Sequence, residues 1–425
     1  MLRVFHTADW HLGHSFHGYD RDYEHGLFLE WLLALVGERK PDALLMAGDV
    51  FDTVNPSAAA QRRFYDFLAR AHAAVPAMQM VFIAGNHDAA ARLEAPQELF
   101  QSLNITVVGT VARDATGEME CGKFLVPLKD ATGTVRGMAV AVPFLRPHDL
   151  PTVAADGVLD SYLDGVKELY RRAVGAAREV CAREYPGAVL IALGHCHMQE
   201  AAESRDSERR IVIGTAEALR ADTFPEDVAY VALGHLHRPQ ELDGGRIRYA
   251  GSPIPLSFSE CDYEHRVLEL SIEGTAVTSV TPWPVPKTAA LLRIPRHAPA
   301  PMAEVLRLLG EIALEPSLPV AVHPFLEVRV LDDGPDPGRR RTIEQAIAGK
   351  PVRLAFIKVE RARAGEADGG LAEPVIALAD LRSLDPMEIM TAAHRERYQT
   401  EPAPALLAAL QEILSTETHL PGGIL

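Results

Sequence analysis

Six short apolar runs in the first 235 residues constrain this chain more than any other feature. "LRVFHTA", "DALLMAG", "MQMVFIAG", "GMAVAVPF", "AVLIALGH" and "AYVALGH" are each closed by Gly, Pro or a polar residue. Runs of this kind form strands buried on both faces. Between them, residues 22–38, 57–74 and 156–184 repeat apolar side chains at helical spacing. The alternation predicts an α/β domain. "TPWPVPK" (281–287) has three prolines in five residues and marks a boundary. Beyond it, "TAALLRIP", "PFLEVRVL" and "PVRLAFIKVE" read as strands, with helices expected at 301–313 and 340–348, which predicts a second, smaller α/β domain. "GEADGG" (365–370) loosens the chain before two expected helices, 385–397 and 403–415. Leu406, Leu407, Leu410, Ile413 and Leu414 make one apolar stripe there. That tail is too short to enclose a core of its own.

Composition narrows the function classes. The N-terminus "MLRVFHTADW" has no basic stretch followed by an apolar one, so no secretory signal is read there. No segment reaches the ~20 apolar residues of a membrane helix. Four scattered cysteines with no C-x-x-C pair argue against a disulfide framework and fit a cytoplasmic location. The formal net charge of −16 argues against a stand-alone nucleic-acid binder. It does not exclude a site where bound cations supply the positive charge.

The chemistry sits where the strands end. After the first comes "ADWHLG", with Asp9 and His11 two residues apart; in an extended segment both side chains would point the same way. The second is followed by "GDVFD" with Asp49, and the third by "GNHD" with Asn86, His87 and Asp88. "ALGHCHM" (192–198) and "ALGHLHR" (232–238) close two later strands with His195, His197, His235 and His237. Of the six strand ends only "AVPFLRP" carries no such group. Ligand sites of open α/β sheets gather at this edge. Each signal alone is weak, since Gly-Asp after a strand is more often a turn. The set points to metal.

Carboxylate, carboxamide and imidazole without thiolate suit Mn²⁺ or Fe²⁺ better than structural Zn²⁺. The donors are too many for one ion. Two ions roughly 3.5–4 Å apart, sharing a carboxylate, would use them and would stabilise an in-line displacement at phosphorus. The residues therefore read as a dinuclear phosphoesterase. Cys196 raises a zinc alternative, set aside because its side chain should alternate away from its neighbours. His197 is read as structural or as support for the ligands. His14, His17 and His25 are read as surface histidines, and Asp52 as a turn cap. "GRRRT" (338–342, Arg339 to Arg341) is read as a solvated helix start.

These motifs, in this order, resemble the calcineurin-like metallophosphoesterases. "DWHLGHSFHGYDRDYEH", "YVALGHLHRPQ" and "YAGSPIPLSFSE" are similar to the branch of that family that processes DNA double-strand breaks, firmly over residues 1–290 and more loosely beyond. The resemblance implies a four-layer sandwich, two β-sheets flanked by helices, over residues 1–280. A small α/β cap over 287–365 and a helical tail over 380–425 would follow. It implies one ion held by Asp9, His11 and His237 and a second by Asn86, His195 and His235, with Asp49 bridging. The ions would be two Mn²⁺, with Mg²⁺ or Fe²⁺ as substitutes. His87 would contact the scissile phosphate and protonate or stabilise the leaving group, with hydroxide as nucleophile; Asp88 would either orient His87 or hold a turn. The implied activity is double-strand exonuclease and single-strand or hairpin endonuclease, in the cytoplasm at the nucleoid, with no membrane. The implied partners are double-stranded and hairpin DNA and an SMC-like ATPase docked on the tail, two copies of each protein, with a homodimer through the nuclease domain. Two alternatives stand beside it. One is a small-substrate phosphodiesterase or phosphatase, against which "GDVFDTV" lacks the Arg-Gly usual in phosphatases. The other is a non-catalytic protein that tethers DNA ends.

Overall fold

The structure, a computed structural model, describes residues 1–151, 162–204 and 218–360, except 316, 333 and 335, with a few isolated positions beyond 390. The chain divides into two units, Met1–Ala362 and Arg363–Leu425. The expected tail helices, isolated positions apart, and residues 156–161 lie outside the described residues.

Two six-stranded sheets make up most of the first unit. The first runs, edge to edge, Ala276–Pro284, Arg266–Glu273, Leu2–Thr7, Ala43–Ala47, Gln79–Ile83 and Ile105–Val108. Its last four strands are parallel. The second runs Gln240–Leu242, Ile247–Tyr249, Val228–Gly234, Val189–His195, Val135–Ala141 and Leu125–Lys129, with a parallel centre. Neighbouring residues along each central strand serve different layers. Val4, Leu45, Val81 and Ile83 belong to the core that the first sheet shares with Val140, Ala192 and Ala232 of the second. Phe5, Leu44, Met46, Met80 and Phe82 face the helices Asp22–Arg39 and Ala58–Ala74 with Phe28, Leu32, Phe64 and Phe67. Burial on both faces is why these strands read as unbroken apolar runs. The helix Tyr162–Glu184 lends Leu169, Tyr170, Ala173 and Ala177 to the first core. The order is helices, sheet, sheet, helix: the four-layer sandwich.

A three-stranded parallel sheet, Leu291–Ile294, Phe325–Leu331 and Arg353–Glu360, follows, with the helices Met302–Gly310 and Arg339–Ala346. It has its own core of Val305, Leu309, Leu326, Val328, Val330 and Ile343. The proline-rich stretch is not a linker throughout. Thr281–Pro284 continue a strand of the first sheet, paired with Arg266–Glu269. Alternate prolines are tolerated there because this is an edge strand.

One short hairpin, Ser15–Phe16 with Tyr19–Asp20, reaches from the loop after His11 to the small sheet. Phe16 packs against Phe258 and Phe325, at centroid distances of 5.2 and 4.9 Å. Tyr19 donates to the Leu354 carbonyl at 3.2 Å. Among the described residues no helix is long and apolar enough to cross a membrane.

Candidate metal centre

The parallel strands of both sheets end at one rim, and backbone bonds join the loops that leave them. Asp9 and His11 donate from their amides to the carbonyls of Gly48 and Asp49, at 3.0 and 3.1 Å. Across the sandwich, the His235 amide donates to Asp9 Oδ1 at 2.9 Å, and His195 Nδ1 meets the Ala47 carbonyl at 2.9 Å.

Asp9, His11 and His237 bring ligand-type atoms within 4.8 Å of one another, and so do Asp9, Asp49 and His195. Asn86 Oδ1 sits 2.9 Å from His195 Nε2 and 3.2 Å from His235 Nδ1. All seven residues read from the strand ends as ligands therefore meet, and six of them are buried. The route differs from the one expected. Asp9 and His11 are not in extended backbone: their φ angles are 53° and 45°, and Asp49 and His235 also have positive φ. Left-handed turns, costly for residues with a Cβ, aim the side chains inward. Trp10 anchors its turn from behind. Its ring lies edge-on to Phe28, Phe67 and Phe82, and its Nε1 donates to Thr7 Oγ1 at 2.9 Å. Gly85 is required by proximity, since a Cβ there would stand 2.1 Å from Asp49 Oδ1.

The cluster holds more acceptors than the protein satisfies. Asp9 Oδ2 and His11 Nε2 are buried with no hydrogen-bond partner among the described residues. Burial pushes the Asp9 carboxyl up to about 7 and the His11 imidazole down to about 4. Burial opposes ionisation of Asp49 as well, yet His195, His11 and His87 around it hold its carboxyl below the usual range. Asp49 in turn outweighs burial at His195 and raises it to about 9. Two buried carboxylates, unpartnered lone pairs and crowded imidazoles fit divalent cations, which would satisfy the orphaned atoms together.

Several supporting contacts carry no motif. Glu260, fully buried, accepts at 3.0 Å from His237 Nδ1, which leaves Nε2 of that ring for the cluster. Asp52 is more than the turn cap its position suggests: its Oδ1 lies 3.2 Å from His11 Nδ1 and 3.0 Å from His14 Nδ1. Its carbonyl accepts at 2.7 Å from His87 Nδ1. The His87 amide donates to Asp49 Oδ1 at 2.8 Å. Asp88 does not orient His87. Its carboxylate accepts from the amides of Gly85, Val50 and Phe51 at 2.9, 3.1 and 3.0 Å, tying two ligand loops together. His14 and His25 are not surface histidines, since His14 is paired with Asp52 and His25 is buried. His17 is exposed and stacks on Phe356. His197 Nε2 faces Glu203 at 3.3 Å, and neither it nor Cys196 joins a metal-type group among the described residues. Arg339 opens a helix, and Arg340 pairs with Glu344 on its surface. The expectation that one strand alone ends without a donor also needs correction. Ile105–Val108, which is not among the six apolar runs, leads into Gly109 and Thr110.

Residues 2–239 match the calcineurin-like phosphoesterase family, and the chain belongs to it. Residues 288–398 match a second family, the type 5 capsule protein repressor C-terminal domain. Within this class the chain is similar to SbcD proteins, the D components of the nuclease SbcCD. It is 41% identical to the one from Rhodobacter capsulatus, over 85% of this chain and 88% of that one. It is 29% identical to the one from Escherichia coli K12, over 99% of both.

Proposed function

We propose that this protein is the nuclease component of an SbcCD-type complex, hydrolysing DNA phosphodiesters with two Mn²⁺, for which Mg²⁺ or Fe²⁺ can substitute. The observation that carries the reading is the convergence of Asp9, His11, Asp49, Asn86, His195, His235 and His237, from five separate strand ends, on one buried cluster with orphaned acceptors. Asp9, His11 and His237 would hold one ion and Asn86, His195 and His235 the other, with Asp49 shared. Bound cations would supply Lewis-acid polarisation of the phosphodiester and activation of the attacking water.

The chain's own contribution centres on His87. A carbonyl can only accept, so the Asp52 carbonyl keeps a proton on His87 Nδ1. The ring can then act only through Nε2, which as imidazolium donates to the leaving oxygen. Asp52 and Glu260 set the tautomers of His11 and His237. Asp88 holds the loops in register.

The length shared with the SbcD proteins supports double-strand exonuclease and hairpin endonuclease work beside the SMC-like ATPase SbcC, in a cytoplasmic complex with two copies of each protein. Tyr65 and Leu99 are exposed on neighbouring helices and are the face suggested for a homodimer. With much of the DNA-binding charge on the partner, the net charge of −16 presents no contradiction. The test is incubation of the protein, with and without SbcC, with blunt and hairpin DNA in Mn²⁺ and in Mg²⁺, against a chromogenic phosphodiester. Cleavage of DNA is expected. Hydrolysis of the small ester with intact DNA would favour the small-substrate alternative. Deleting residues 380–425 is expected to abolish co-purification with SbcC while metal content stays intact.

A further inference from the structure

A second cavity, of about 360 Å³, opens between the phosphoesterase sheets and the first strand of the small sheet. None of the seven clustered ligands lines it. Its volume lies at the lower end of the range for small-molecule sites. Ile254, Val285, Leu291 and Ile294 give it apolar walls. Two polar groups in it are unsatisfied. His265 is buried and spends Nδ1 on the Ser252 carbonyl at 2.7 Å, so that nitrogen carries the proton and Nε2 is an acceptor. That Nε2 is buried without a partner among the described residues. Lys287 is exposed on the lining, with no ion pair or hydrogen bond among the described residues, and its charge is felt at His265. The other cations are committed: Arg293 to Glu327 and the Phe258 carbonyl, Arg296 to Asp262.

We propose that this cavity binds a nucleotide, its base in the apolar slot donating an N–H to His265 Nε2 and its phosphate on Lys287. The alternatives satisfy less of the site. An acyl chain would leave the buried imidazole acceptor unpaired. Inorganic phosphate would leave the apolar slot unfilled, and a sugar would set hydroxyls against aliphatic walls. The nucleotide could be free or the terminal residue of a DNA strand. The chemistry of recognition is the same, and neither source depends on the metal centre.

The test is calorimetric titration of 2′-deoxyadenosine 5′-monophosphate into the full chain in EDTA, which silences the metal centre and so separates the two proposals. One saturable site per chain is expected. Lys287→Glu, at an exposed position that should not disturb folding, is expected to weaken binding tenfold or more and to leave deoxyadenosine binding unchanged. His265→Phe should weaken both. Absence of saturable binding, or binding that both variants leave within twofold of wild type, overturns the proposal. Competition with a 5′-phosphorylated single-stranded oligonucleotide assigns the source: displacement supports a DNA end, and retention supports a free nucleotide.

Discussion

The two Ala-Leu-Gly-His-x-His segments are near-identical in sequence and lie on adjacent parallel strands, yet the structure uses them differently. The pairing is offset by one residue, so that Gly234 of the second lies opposite His195 of the first. A one-residue offset reverses which face each position serves. The glycines show it. A Cβ on Gly194 would meet the Tyr170 hydroxyl on the helix side at 2.3 Å, whereas a Cβ on Gly234 would meet the Ala47 carbonyl of the opposite sheet at 2.0 Å. His195 is thus the last strand residue and already points at the cluster. The second strand stops at Gly234, and His235 turns inward with φ 98°. Two residues on, His237 enters the cluster on Glu260, while His197 is drawn off to Glu203. Identical heptads do not imply identical sites.

The largest effects should separate His237 from His197. His235→Ala and His237→Ala are expected to lose bound Mn²⁺ and reduce hydrolysis to background, whereas His197→Ala keeps both, as read by metal analysis and turnover of a chromogenic phosphodiester. Loss of metal in His197→Ala would break the contrast. Next in size, His87→Gln should slow hydrolysis by about 10²–10⁴-fold with metal content unchanged; wild-type cleavage by this variant would remove His87 from the chemistry. The carboxylates behind the two heptads should differ more modestly. Glu260→Gln is expected to weaken metal affinity by about 10–100-fold, and Glu203→Gln to leave it unaltered in the same titration.

The smallest effect lies behind the second heptad, where His6 is buried between the Tyr230 hydroxyl and the Leu233 carbonyl. Burial lowers its pKa from 6.5 to about 3. The unfolded chain therefore binds a proton first as the pH falls, so stability present above pH 6.5 is lost below it. The loss should be about 2 kcal/mol between pH 7 and 5 for this one group. Denaturant midpoints of the metal-free protein at both pH values should show it, and His6→Gln should shrink the difference.

Much of the fold was legible because its strands are buried on both faces and its helices on one. Those two patterns distinguished Ala43–Ala47 and Gln79–Ile83 from Ala58–Ala74 without any contact information. Short or half-exposed strands, such as Gln240–Leu242, Ile247–Tyr249 and the hairpin at Ser15–Asp20, left no such trace. The donors were legible because strand-end Asp, Asn and His stand out against apolar runs. Asp52 and Glu260 were not, because a group that supports a ligand needs only to arrive near it in space, and no spacing announces that.

What the sequence determined by itself was the inventory: which residues can donate to a cation, and that they lie at the ends of buried strands. Side-chain chemistry and burial periodicity are local properties, and both are written residue by residue. Only the tertiary structure decided that Asp9 and His11 converge through left-handed turns, that Asp88 ties loops rather than orienting His87, and that one heptad brings two imidazoles to the cluster and the other one. Those outcomes depend on backbone torsions and on the register between strands brought together from distant parts of the chain, where a shift of one residue exchanges the two faces of a sheet.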